Sequence, residues 1–158
     1  MFRKQFPVSW APDALISDND QALLVASGAV FDKVPHLLCR WHIEKDVLAK
    51  CKQYFRDGAA FEMFHAEWME IMRSGTEAIY QSSWQKFVHK YSVTHAEAIR
   101  YLVGTWIEHD KKFVSCYTDR VFHLGSGSSS RVEGAHAVLK GFLGSSKGDL
   151  YYVLKQME

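Results

Sequence analysis

The stretch Ala14-Leu-Ile-Ser-Asp18 decides the fold, because a short apolar run leads directly into an acidic turn that ends at Asp20. Apolar runs of this length between turn residues are typical of buried β-strands, so we predict a strand over residues 14–17. Asn19 or Asp20 is suited to cap a helix, which the apolar spacing predicts over residues 21–31. Asp18 then lies at the carboxyl end of a strand, where open α/β sheets bind ligands, unless it is only a turn residue.

A second unit of the same kind follows. The run His36-Leu-Leu-Cys39 predicts another short strand, and apolar residues at helical spacing predict a helix from residue 40 to about residue 55. The polar face of that helix is basic, with Lys45, Lys50 and Lys52. Two short strands are too few for a sheet that folds alone, so we expect this unit to be part of a larger α/β domain.

The remainder of the chain has a helical pattern. Three apolar stripes at helical spacing fill residues 59–118, and a Gly- and Ser-rich link follows at 124–130. A helix predicted from about residue 131 to residue 142 carries Glu133. We therefore divide the chain into a strand-bearing part at 1–56, a helical insertion at 57–124 and a C-terminal part at 125–158.

Composition limits the classes of protein to which the chain can belong. Its 158 residues, 47% apolar and 14% aromatic, fit one globular domain and exclude a wholly disordered chain. The net charge of +1 argues mildly against strong stand-alone DNA binding, so any basic surface must be local. No apolar run approaches the roughly 20 residues of a membrane span. Three cysteines are too few for a disulfide framework and favour a reducing compartment.

Two further motifs contain residues that can carry chemistry. Cys39-Arg-Trp-His42 is a C-x₂-H unit at a strand-to-helix junction, and Cys and His are zinc ligands, although one pair is half a site. Cys51 and His65 are candidates for the other half; otherwise Cys39 and His42 are core residues. Glu133 fits a capping box behind the serines that precede it. It also stands three residues before His136, a spacing found in carboxylate-bridged di-metal bundles.

The order of these motifs resembles the MULE domain, the transposase domain of Mutator-like elements, which plant FAR1-type transcription factors share. The resemblance rests on the strand that ends in Asp18, on the string His36-Leu-Leu-Cys-Arg-Trp-His-Ile43, and on Ser128-Ser-Ser-Arg-Val-Glu133 with the helix that follows. Between the last two comes a helical insertion. The resemblance covers nearly the whole chain.

The resemblance implies an RNase H-like fold with an Asp-Asp-Glu triad that binds Mg²⁺ or Mn²⁺. Asp18 matches the second acidic position and Glu133 the third, while Cys39 and His42 match the C-x₂-H signature. It also implies a nuclear protein whose partner is DNA, at the transposon ends. Candidates for phosphate contacts, each of which is equally compatible with a solvated helix face, are Lys45, Lys50, Lys52, Arg131 and Lys140.

One departure from the family pattern concerns the first acidic residue. In an RNase H-like fold it lies on the first strand of a three-stranded meander, and residues 1–13 are too few for those strands. The fold class expected is therefore α/β, a partial RNase H-like fold that lacks its first three strands and has a large all-helical insertion. Such a chain should expose apolar sheet edge and helix surface, and should self-associate or need a missing N-terminal region.

Three functional hypotheses follow. The first is a partial Mutator-like transposase domain, descended from a metal-dependent enzyme of DNA cleavage and strand transfer and inactive alone because the first Asp is missing. The second is a domesticated FAR1-like protein that binds DNA or regulates transcription without catalysis. The third is a small helical zinc-binding interaction module, which requires stoichiometric zinc on Cys39 and His42.

Overall fold

The computed structural model describes residues 11–121. In this range the elements are, in chain order, β1 (Leu15–Ser17), α1 (Gln21–Val30), β2 (His36–Leu38), α2 (Arg40–Cys51), α3 (Gly58–Met72), α4 (Glu77–Tyr91), α5 (Ala96–Thr105) and α6 (Ser115–Thr118). Short 3₁₀ helices follow α2 at Lys52–Tyr54 and α5 at Ile107–Lys112. This part of the chain is mostly helical with one small parallel sheet, which is compatible with the α/β class.

The two predicted strands pair with each other in parallel, and helix α1 connects them. The register sets Leu15 opposite His36 and Ser17 opposite Leu38. One further bond continues the ladder at the carboxyl end, where the Cys39 amide donates to the Ser17 carbonyl at 2.7 Å. Because parallel strands end at the same edge of a sheet, the residues after Ser17 and after Leu38 are neighbours.

Helix α1 has well-formed ends but little packing. Its first turn is capped by Asp20, whose Oδ1 accepts from the Leu23 amide at 2.8 Å. At the other end the Phe31 amide donates to the Ser27 carbonyl at 2.7 Å. No side chain of α1 is fully buried, and Leu23 and Val25 are 46% and 71% exposed. Local hydrogen bonding therefore supports this helix more than burial does.

The core of the described range lies in the helical block formed by α2 to α6. Helix α2 buries Ile43, Val47 and Cys51 on one face and contacts both α3 and α5. The aromatic side chains predicted to form helical stripes fill the centre of the block. The largest fully buried side chains are Trp68, Trp106, Tyr80, Phe64 and Phe113.

The third predicted stripe, which runs from Ile99 to Phe113, is helical but is not one α-helix. Helix α5 ends at Thr105, and the chain continues as the 3₁₀ helix Ile107–Lys112 before it reaches Phe113. Trp106 and Phe113 are both buried on either side of this turn. Asp110 fixes the turn, because its Oδ2 accepts a hydrogen bond from the Tyr80 hydroxyl on α4 at 2.9 Å. This contact between distant elements is not visible in the apolar spacing.

No helix within residues 11–121 is long and apolar enough to cross a membrane. The predicted helix with Glu133, and with it Arg131 and Lys140, lies outside the described residues. The predicted domain boundaries at 56 and 124 remain predictions.

Candidate functional site

Asp18 lies at the carboxyl edge of the sheet, directly beside the start of α2. It follows β1 by one residue, and the bond between the Cys39 amide and the Ser17 carbonyl joins the two strand ends at this point. The Ser17 hydroxyl donates to the Asp18 carbonyl at 2.7 Å and fixes the backbone there. The Asp18 side chain is partly exposed. The sheet thus presents a carboxylate at its edge, as the sequence predicts.

Arg40 begins α2 at the same edge and links it to α6. Its Nη2 donates to Thr118 Oγ1 at 3.0 Å and lies 3.7 Å from Asp119 Oδ1. Burial lowers the pKa of Arg40, Asp119 acts to raise it and Arg73 to lower it. A partly buried positive charge is therefore held near the predicted site by residues about eighty positions away in the chain. Sequence analysis did not identify Arg40, since nothing local marks its partner.

His36 is a second residue that sequence analysis did not single out. Its Nε2 is hydrogen-bonded to Ser17 Oγ at 2.7 Å, and its Nδ1 to Ser27 Oγ on α1 at 3.1 Å. Burial lowers the pKa of His36, and Lys112 lowers it further. The imidazole of His36 on β2 thus connects Ser17, the residue before Asp18 on β1, with Ser27 on α1. Its signal in the sequence is the strand alternation, which puts Ser17 and His36 on one face of a parallel pair.

The C-x₂-H unit lies where the sequence places it, at the junction between β2 and α2. Cys39 is fully buried at the N-cap of α2, and His42 is in the first turn, with its ring edge-on to Trp41 at 4.9 Å. Cys51, a candidate for the second half of a zinc site, is buried in α2, and burial raises the pKa of its thiol to about 12. Within residues 11–121 no three His, Cys, Asp or Glu side chains form a group that could hold a metal ion.

The three described lysines of the predicted DNA surface are all exposed on or just after α2. Lys45 and Lys52 are seven residues apart and therefore share a face at about 3.6 residues per turn. Trp41 lies on this face as well, with Lys45 Nζ 5.6 Å from its ring centroid. Lys50 points to another side of the helix. Lys45 and Lys52 thus lie on one face and Lys50 on another. That these lysines contact DNA remains a prediction.

The predicted meeting of Asp18 and Glu133 involves a residue outside the described range. The described half consists of the Asp18 carboxylate and of Asn19, the next residue in the chain, whose buried Oδ1 atom has no hydrogen-bond partner within residues 11–121. Both are oxygen donors of the kind that Mg²⁺ and Mn²⁺ prefer.

Comparison with known proteins gives one relationship. The Protein FAR-RED IMPAIRED RESPONSE 1 of Arabidopsis thaliana is 27% identical to this chain over 129 residues, which is 80% of this chain and 15% of that protein. The chain thus spans only a small part of the length of this curated relative. No protein-family model matches the sequence, and no solved structure matches it. The match supports a relationship between this chain and the FAR1-related proteins.

Proposed function

We propose that this chain is a DNA-binding domain derived from a Mutator-like transposase, with an RNase H-like ancestry and two carboxylates, Asp18 and Glu133, of a divalent-metal site. The observation that carries the proposal is the position of Asp18 at the carboxyl edge of a parallel strand pair. The match to a FAR1 protein, which covers 80% of this chain, supports it. The proposal places the protein in the nucleus.

The donor chemistry at this edge suits a hard divalent cation. Asp18 supplies a carboxylate, and Asn19 supplies an amide oxygen that accepts no hydrogen bond from the described residues. When bound by three carboxylates, Mg²⁺ or Mn²⁺ would activate water or a 3′-hydroxyl and stabilise the leaving oxygen in phosphodiester chemistry. Asp18 and Glu133 are two of these ligands. Cleavage would need a third carboxylate beside these two.

The residues of this chain position the edge and supply cations for DNA. Arg40, held by Thr118, anchors the start of α2 beside Asp18. Lys45 on α2 and Lys52 in the 3₁₀ helix directly after it lie on one face, where phosphates of a duplex can approach them together. Lys50 points elsewhere, so we expect it to contribute less.

Fluorescence anisotropy of a labelled duplex tests DNA binding. At increasing salt, the wild-type slope of log K against log salt reports the number of phosphate contacts. We expect Lys45→Ala and Lys52→Ala each to reduce that slope by about one, as for a lost phosphate contact. Lys33→Ala is the matched control, because Lys33 is exposed in the turn before β2, at the opposite edge of the sheet. Equal slopes for all variants would contradict this surface.

A second candidate is a domesticated regulator that binds DNA without catalysis. One observation favours it: the curated match is to a protein named for a far-red response. Sequencing the transcript and its locus upstream of Met1 discriminates the two. An in-frame strand bearing an Asp supports the transposase, whereas an N-terminal zinc module with an incomplete triad supports the regulator.

A further inference from the structure

A small cleft lies between the strand pair and the 3₁₀ helix Ile107–Lys112, which packs against β2. Its volume is about 10 Å³, the space of about one water molecule, and it is partly open to solvent. A cleft of this size admits a single oxygen atom of a larger group and excludes an organic ligand. Its lining is apolar at Ile16, Leu37, Leu38 and Phe113 and polar at Arg40, Lys112 and Thr118.

The three polar side chains of the cleft all have hydrogen-bond donors to spare. Thr118 is 2% exposed, and its hydroxyl accepts from Arg40 at 3.0 Å but donates no hydrogen bond within residues 11–121. Arg40 has five N–H donors, of which the side-chain hydrogen bonds of this range use one. Lys112 forms no ion pair with any described residue. The cleft therefore offers donors to an acceptor from outside.

Positive charge is in excess around the same cleft. The Arg40 side chain is 22% exposed, and Asp119, a carboxylate that faces it, is 61% exposed and 3.7 Å away, beyond hydrogen-bond distance. Besides burial, which has the larger effect, the charge of Lys112 lowers the pKa of His36 on β2. The charge of Arg73 likewise opposes that of Arg40. Because partly buried positive charges are costly unless an anion pairs with them, the cleft favours an anionic ligand.

We infer that this cleft binds one oxygen of a phosphate group, which accepts hydrogen bonds from Arg40, Lys112 and Thr118. The oxygen fits the volume, and the rest of the group remains at the open side. Charge-assisted hydrogen bonds of this kind are the strong ones in proteins. The phosphate can belong to a DNA backbone or be free in solution. As a backbone contact, the inference rests on the proposed DNA-binding function.

A phosphate oxygen suits the cleft better than other occupants of the same size. Water fits the volume but leaves the positive charges unpaired, and a metal cation is repelled by them. A carboxylate oxygen accepts hydrogen bonds near one plane, as sp² oxygens do. A phosphate carries more charge and accepts from all sides, which suits donors at the start of α2, at the end of the 3₁₀ helix and on α6.

NMR of the isotope-labelled full chain, titrated with inorganic phosphate, tests the inference. Sodium chloride keeps the ionic strength constant, the pH is fixed, and acetate is the parallel probe. We expect saturable shifts of the backbone amides of Lys112 and Thr118 and of the Arg40 side-chain N–H signal. Acetate should cause smaller shifts that do not saturate in the same range.

Variants of the chain locate the binding. Lys112→Ala should weaken phosphate binding by about fivefold, the effect of one unit charge about 4 Å away in water. Lys111→Ala is the matched control, because Lys111 is exposed on the same 3₁₀ helix and does not line the cleft. Thr118→Val removes the unused donor and should weaken binding, whereas Thr118→Ser retains the hydroxyl and should preserve it. A thermal melt confirms that each variant folds.

DNA binding identifies the source of the phosphate. If a backbone phosphate occupies the cleft, Lys112→Ala should lower the slope of log K against log salt for a labelled duplex by about one. An unchanged slope, together with intact shifts by inorganic phosphate in the wild type, assigns the cleft to free phosphate.

Three results would overturn the inference. They are the absence of saturable shifts with phosphate, equal phosphate affinity of Lys112→Ala and Lys111→Ala, and equal shifts with acetate and phosphate. The proposed DNA-binding function fails separately, because it requires a duplex to bind the wild-type chain. Phosphate shifts without duplex binding would contradict that function and leave the cleft as a phosphate site.

Discussion

The strand-bearing part of the molecule and its helical block differ sharply in burial. Helix α1 has no fully buried side chain, whereas α3 buries five, with Phe64 and Trp68 completely inaccessible. Yet Asp18, the carboxylate that the sequence marks for function, belongs to the less buried part. The difference indicates that the helical block supplies most of the stability, while the candidate site is built on a region that opens more easily.

The second strand and α2 connect these two regions. Leu37, Leu38 and Cys39 are buried, and α2, the first helix of the block, packs one face against α3 and α5. Arg40 adds a polar link through Thr118. Strand β1 and helix α1 are attached to the rest of the molecule mainly by the pairing of β1 with β2 and by the hydrogen bonds of His36. We therefore expect substitutions to have effects that decrease from the block, through this connection, to α1.

The largest effect is expected in the core of the block. Phe64→Ala removes a ring that contacts Phe55, Phe61, Phe87 and Tyr91, and should lower the free energy of unfolding by about 3–5 kcal/mol. Urea denaturation followed by circular dichroism measures the change. Val25→Ala on α1 is the control and should stay within about 0.5 kcal/mol. Similar losses for both variants would show that the two regions are equally packed.

The connection should show an intermediate effect. Thr118→Val removes the hydroxyl that accepts from Arg40 and leaves a partly buried guanidinium without that partner, which should cost about 1–3 kcal/mol. The same urea experiment measures it. Arg100→Ala, which breaks only an exposed ion pair with Glu97 on α5, should have little measurable effect. If the two variants are equally stable, Arg40 does not join the site to the block.

Helix caps sharpen the comparison between the regions. Thr76 caps α4 by accepting from the Ile79 amide, and Asp20 caps α1 in the same way from Leu23. Thr76→Ala should lower the global free energy of unfolding by about 1 kcal/mol. Asp20→Ala should instead accelerate hydrogen exchange within α1 only. A global loss for Asp20→Ala as large as that for Thr76→Ala would mean that α1 unfolds together with the block.

The smallest expected effect is the dependence of stability on pH through His36. Because the pKa of folded His36 lies below its unfolded value, the unfolded chain binds the proton more readily, and acidification favours unfolding. Stability from this residue is present above about pH 6.5, the unperturbed imidazole value, and is lost as pH falls below it. The protection factors against hydrogen exchange in β1 and α1, which correct for the pH dependence of the intrinsic exchange rate, should fall on acidification, and less so in His36→Asn.

His89→Asn is the control for this pH effect, since His89 is exposed on α4. It should retain the wild-type pH dependence in β1 and α1. An unchanged pH dependence in His36→Asn would exclude the imidazole as its source.

Local features of this fold could be predicted from the sequence, while long-range ones could not. The strands at Leu15–Ser17 and His36–Leu38, the cap at Asp20 and the edge position of Asp18 follow from neighbouring residues and were predicted within a residue or so. The contact between Arg40 and Thr118 depends on how the block folds back. The end of α5 could not be predicted either, because the turn after it is fixed by the hydrogen bond between Asp110 and Tyr80 on α4.

Paramagnetic broadening by Mn²⁺ in an isotope-labelled sample of the full chain tests the proposed metal site most directly. If Asp18 and Glu133 hold a divalent cation together, Mn²⁺ should broaden the amide signals of both residues at the same metal concentration. Asp18→Asn should then remove the broadening at both positions. Unaffected signals at Asp18, or broadening at Glu133 that persists in Asp18→Asn, would contradict the account.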